Sequence, residues 1–305
     1  MTTEEVNLLA FNYAYGTFTN GPGISCWNFT KFCQNKFNIY TKLKTDIISS
    51  NIKNISTYNF KNSATVHWWS GMTDEFLNIV KKEKLNGKKI IVGPNLFDGT
   101  NPELEIKISK DIQPDLILVV NKQLKYKLKK YLNYKIEDFM TGPDYDLWMP
   151  TSFQERNNKI LWKGNSKHES KDIEMALEIR KKIVDKIHLM GYPSTYRYMD
   201  HVDPAARYSV YLITSLSETK SEAVLEQLSA GVPVVSHPGV FMMGSHYKTG
   251  IVCNRDTEEL AAAALNILND RHLMEDLSLG ARSFILENFK KENLNLYYQW
   301  LLNEC

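Results

Sequence analysis

Ser215-Leu-Ser-Glu218-Thr-Lys-Ser-Glu222-Ala-Val-Leu-Glu226-Gln-Leu-Ser-Ala230-Gly-Val-Pro233-Val-Val-Ser236 is the stretch that decides the fold. The run Tyr208 to Thr214 before it reads as a strand, and a helix follows it. Gly231 and Pro233 stop that helix, and Pro233 to Ser236 begins the next strand. Thr219 reads as the helix cap, with Glu222 three residues on to complete a capping box. On this reading Glu218 precedes the helix, and Glu226, seven intervening residues later, lies about two turns inside it.

The spacing has a chemical consequence. Unsatisfied N–H groups from Thr219 through Lys220, Ser221 and Glu222 to Ala223, with the positive end of the helix dipole, form a seat for a phosphate or pyrophosphate. An anion there lies between two carboxylates, each able to accept two hydroxyl hydrogen bonds. Glu226 then suits a ribose diol and Glu218 the hydroxyls of a sugar beyond the phosphates, the order of groups in a nucleotide diphosphate sugar.

The segment resembles the donor-site signature of retaining glycosyltransferases of family 4, enzymes of the GT-B fold. Ser215, Glu218, Glu226, Ala230, Gly231, Pro233 and Val234 carry the resemblance. Thr219 and Ser221 stand where the family has glycines, and Gln227 stands where it has alanine. The resemblance implies an α/β chain of two Rossmann-like domains whose parallel sheets face each other across a cleft. Thr141-Gly-Pro-Asp-Tyr-Asp-Leu-Trp-Met-Pro150 looks like the family's interdomain segment. It places an acceptor-side domain at 1–147, a donor domain at 148–289, and a final helix at about 290–305 that crosses back to the first domain.

Alternating apolar and helical patterns in the first half agree with a parallel sheet wrapped by helices. Strands are expected at Val6–Phe11, Phe37–Tyr40, Ala64–Trp68, Lys89–Gly93 and Asp115–Val120, with a first helix beginning near Trp27. In the second half strands are expected at Lys159–Gly164, Lys186–Met190 and Tyr208–Thr214, and helices at Lys171–Val184, Thr257–Asn269, Leu273–Asn288 and Asn293–Leu302.

Further site residues follow from the resemblance. After Gly164 the family places an arginine and then a lysine; here Asn165 and Lys167 occupy the arginine's neighbourhood, and Lys171 looks like the family lysine. Lys171 and Glu218 are the expected catalytic groups, together with His67, which resembles a histidine that touches the transferred sugar. Gly21 and Gly23, in a turn after the first strand, and Gly239, after the donor helix and its strand, are expected to approach the donor closely. The implied reaction moves a sugar from a nucleotide diphosphate sugar to a hydroxyl of a glycan, glycolipid or other acceptor, with retention, in glycan or glycoconjugate synthesis. Positive side chains and the helix end would stabilise the diphosphate without a metal or other cofactor. An inert nucleotide-sugar-binding subunit and an epimerase of the same fold stay open as alternatives.

Composition narrows the field further. At 305 residues the chain holds two domains of ordinary size. No apolar run approaches a membrane span, and the acidic start Met1-Thr-Thr-Glu-Glu5 does not read as a signal peptide, which points to the cytoplasm. Four scattered cysteines fit neither a disulfide framework nor a zinc site. A net charge of +2 gives no support to nucleic acid as a partner. Lysines 122, 125, 127, 129, 130 and 135 do crowd one segment; a solvated helix face is the better reading, an anionic acceptor or peripheral contact with a lipid surface the other. Gly21-Pro-Gly23 lacks the third glycine of a dinucleotide fingerprint, which disfavours a dehydrogenase.

Overall fold

The structure is a computed structural model that describes residues 5–11, 21–33, 36–42, 52–60, 63–164, 169–191, 202–216, 218, 221–240, 246 and 248–304. The chain divides into two compact units, one of residues 1–141 with 291–305 and one of residues 142–290.

The first unit contains β1 (Glu5–Ala10), α1 (Gly21–Phe32), β2 (Lys36–Thr41), β3 (Ile52–Asn54), β4 (Thr65–Ser70), α2 (Asp74–Leu85), β5 (Lys89–Asn95), α3 (Pro102–Ile112), β6 (Leu116–Val119), α4 (Lys122–Leu128) and β7 (Ile136–Asp138). Its seven strands pair in parallel in the order β3-β2-β1-β4-β5-β6-β7. Strands covered on both faces must be apolar on both, and β4 divides its side chains accordingly. Val66 and Trp68 join one core with Phe76, Val80, Ile108 and Leu124 from α2, α3 and α4. Trp69 joins the opposite core with Phe29 of α1 and with Tyr298, Leu301 and Leu302 of the helix Lys291–Glu304 that ends the chain.

The second unit contains β8 (Asn157–Gly164), α5 (Ile173–Lys182), β9 (Ile187–Gly191), α6 (Val202–Ala206), β10 (Tyr208–Leu212), α7 (Glu222–Ser229), β11 (Val234–Ser236), β12 (Gly250–Val252), α8 (Thr257–Asn269) and α9 (Arg271–Asn288). The closing helix Lys291–Glu304 is α10. Five parallel strands run in the order β12-β11-β10-β8-β9. Chain order therefore reverses between β8 and β10, and the carboxyl ends of those two strands are where an open α/β sheet binds its ligand.

Two helix starts differ from the expectation, and three strands add to those expected. The first helix starts at Gly21 rather than near Trp27, so Gly21, Pro22 and Gly23 form its first turn instead of a loop. Proline is at ease there because the N–H it lacks has no helical partner in any case. The helix of the deciding segment starts at Glu222, with Ser221 at the cap and no side-chain cap bond, so Glu226 lies one turn inside it and not two. The strands β3, β7 and β12 were not expected; each has three residues, too short for a period to show.

Candidate active site

Thr214, just beyond β10, ties the carboxyl ends of the second sheet together. Its hydroxyl oxygen accepts the Trp162 Nε1–H at 2.9 Å and lies 2.9 and 3.0 Å from the carbonyls of Lys171 and Asp172. The Leu216 N–H donates to the Ser170 carbonyl at 2.8 Å. Residues 170–172 are thereby fastened to residues 214–216, and Lys171 lies beside Glu218. The Lys171 ammonium donates to Glu218 Oε1, and the Ser215 hydroxyl donates to the same oxygen at 2.9 Å. The lysine side chain is 29% exposed and the glutamate 13%, so solvent screens the pair only in part.

Gly164, at the end of β8, is required by this packing. A Cβ there would meet the Trp162 ring at 2.9 Å and the Lys171 Cβ at 3.5 Å. Asp172 caps α5 in the left-handed region (φ 48°), accepts from the Met175 N–H at 3.2 Å and is ion-paired with Arg255. His237, after β11, donates from Nε2 to the Ser215 carbonyl at 2.8 Å, and its Nδ1 accepts the Gly239 N–H at 3.3 Å. Gly239 is thus held beside the same loop.

Glu226 occupies a different setting. It is 1% exposed, and its Oε2 lies 3.2 Å from the Nζ of Lys163, the last residue of β8 before Gly164. That ammonium also stands 5.4 Å from the ring centre of Trp148. The segment carrying Trp148 is pinned by Arg282, whose guanidinium donates to the carbonyls of Tyr145, Trp148 and Ser229, and by the Ser229 hydroxyl on the Trp148 carbonyl at 2.9 Å.

The structure therefore groups Gly164, Lys171, Glu218 and Gly239 at the strand ends around the switch point, with Glu226 under the neighbouring helix α7. Ser221 and Glu222 open α7, Glu222 with its side chain largely buried. Asn165, Lys167, Thr219 and Lys220 lie outside the described residues. Gly21 and Gly23 belong to the first unit, in α1, with Gly23 buried.

His67 must be corrected. It is 0% exposed, its Nε2–H donates to the Gly93 carbonyl at 2.7 Å, and its Nδ1 accepts from the Tyr298 hydroxyl at 2.9 Å. Its ring is shared among Phe29, Trp69 and Tyr298 at centroid distances of 5.8, 5.3 and 5.7 Å. Burial pulls its pKa down to about 4, outweighing the opposing effect of the Gly93 carbonyl. A neutral, doubly bonded ring in a core fastens α10 to the sheet and has no face for a sugar.

Lys163 went unnoticed in the sequence, although a signal existed: a charge ending the apolar run Ile160-Leu-Trp162 of a strand buried on both faces. In the lysine-rich segment, Lys125 pairs with Glu137 and Lys135 with Glu304, while Lys122, Lys127, Lys129 and Lys130 are exposed around Tyr126. Among the described residues no helix is long and apolar enough to cross a membrane.

Residues 149–270 match the family model of glycosyl transferases group 1. No curated protein matches the sequence. Among solved structures, sucrose-phosphate synthase from Thermosynechococcus elongatus aligns over 99% of this chain and 98% of its own at 13% identity, with a TM-score of 0.74. The Anabaena protein HepE, in complex with UDP and glucose, aligns over 99% and 100% at 10% identity with a TM-score of 0.74. An alpha-glucosyltransferase in complex with UDP and a 13-mer DNA aligns over 99% of both chains at 10% identity with a TM-score of 0.70. The chain has the GT-B fold, and its second unit is similar over most of its length to glycosyl transferases group 1.

Proposed function

We propose that this protein is a glycosyltransferase that takes a sugar from a nucleotide diphosphate sugar and places it on an acceptor hydroxyl with retention of anomeric configuration. The observation that carries the reading is the Lys171 ammonium and Glu218 carboxylate side by side at the switch point of the second sheet, inside the segment that matches glycosyl transferases group 1. The Lys171 ammonium is set to take the diphosphate, and Glu218, relieved of its lysine by the incoming anion, to accept hydroxyl hydrogen bonds from the sugar. Glu226 takes the ribose diol. The bond from the anomeric carbon to the diphosphate breaks, the acceptor oxygen joins that carbon on the same face, and the acceptor proton passes to the departing phosphate oxygen. Lysine supplies the charge stabilisation that a divalent ion supplies elsewhere, so the reaction proceeds without metal.

The binding of UDP and of UDP with glucose by structural neighbours makes UDP-hexoses the first donors to try. The test is release of nucleoside diphosphate from a panel of nucleotide sugars with mixed hydroxyl acceptors, with and without chelator. One donor should turn over in the wild type, and Lys171→Gln should lower kcat by roughly 10²–10³ as the loss of one charge-stabilising donor does elsewhere. Equal release by wild type and Lys171→Gln would refute the assignment.

A further inference from the structure

Side chains along β8 alternate between two layers. Ile160 and Trp162 enter the core beneath α5 and α8, whereas Lys163 enters the layer beneath α7 and meets Glu226. The two side chains are 3% and 1% exposed, so an ammonium and a carboxylate have both been taken out of water. Such a pair recovers its desolvation cost only in part, and apolar residues of similar volume commonly serve stability as well or better. Stability is thus a poor reason for placing it here. Its location supplies another: one residue before the glycine that receives Lys171, and on the carboxylate read as the ribose acceptor.

We propose that Lys163 is a positioning residue for ribose recognition. Its ammonium, supported on the face of Trp148, holds Glu226 Oε2 and balances the charge, so that the carboxylate meets a 2′,3′-diol in one orientation. In this role Lys163 acts through Glu226, the group its ammonium meets at 3.2 Å. The inference rests on the reading of Glu226 as the ribose carboxylate.

The test uses the full chain and calorimetric titration with UDP, GDP and ADP, each beside its 2′,3′-dideoxy counterpart, for the wild type, Lys163→Met and Lys163→Arg. The wild type should bind one ribonucleotide about 10-fold or more tighter than the dideoxy form, the scale of hydrogen bonds to a charged group. Lys163→Met should lose most of that preference while binding the dideoxy form nearly as the wild type does, and Lys163→Arg should recover part of it. If Lys163→Met does not fold, Lys163→Met with Glu226→Leu removes both charges and should bind the two nucleotide forms alike. Equal weakening of both forms in Lys163→Met, or an unchanged preference, would overturn the role of Lys163. A wild type that does not distinguish ribo from dideoxy nucleotides, a double variant that still does, or no binding of any nucleotide would instead overturn the reading of Glu226 beneath it.

Discussion

His67 keeps its neutral form in the core because both ring nitrogens are satisfied and a proton would add an unsolvated charge. The consequence is a pH dependence of stability with a defined sign. Its folded pKa, about 4, lies below the ordinary value of 6.5, so between these pH values the unfolded chain binds a proton that the native chain refuses. The stabilisation is complete above pH 6.5 and is lost as pH falls toward 4, about 3 kcal/mol in all at 1.4 kcal/mol per unit. Urea unfolding at pH 7.0 and 4.5 should show this loss in the wild type and a clearly smaller one in His67→Gln; parallel curves for the two proteins would contradict it. The residue was misread because a histidine followed by tryptophans near a strand end has the same sequence whether it lines a pocket or fills a core. Partners distant in sequence, Gly93 and, 231 residues away, Tyr298 among them, decide between the two. Lys171 and Glu218 are in the opposite position: they form an ion pair beyond strand ends, where short-range turn chemistry, which a sequence does carry, places residues.

The elements themselves meet at close backbone contacts. Gly280 sits within α9, where helix propensity alone favours alanine by about 1 kcal/mol. A Cβ at that position, however, would come within 1.9 Å of the Lys248 carbonyl oxygen, and the backbone before β12 cannot yield as a flexible side chain would. Gly280→Ala should therefore destabilise by about 1–3 kcal/mol, the usual cost of overpacking, and lower the Tm of the second unit. A rise in Tm would show that propensity outweighs the contact. Long helices with capping residues, such as α8 behind Asp256, were readable almost to the residue because cap and period agree. The start of α7 was not, because Thr219 and Ser221 are both acceptable caps and burial of Glu222, Val224 and Leu225, a tertiary effect, fixes which turn is the first. Three-residue strands carry no period at all, and β3 and β12 owe their existence to the neighbours they pair with.

Across the whole molecule, parallel sheets were readable from the alternation of apolar runs and amphipathic helices, and each unit closes its own core. The order of the strands, and with it the switch point between β8 and β10, depends on long-range pairing that no local pattern encodes. The central claim concerns the second unit alone: Lys171 and Glu218 at that switch point bind a nucleoside diphosphate. Thermal unfolding of the wild type and of Lys171→Gln, with UDP, GDP or ADP at about 100 times its dissociation constant, tests it most directly, since such a ligand adds about 2.7 kcal/mol to the unit that binds it. The account predicts that one nucleotide raises the unfolding temperature, and that Lys171→Gln removes most of the rise at the same nucleotide concentration. No rise with any nucleotide, or a rise that Lys171→Gln leaves intact, would contradict it.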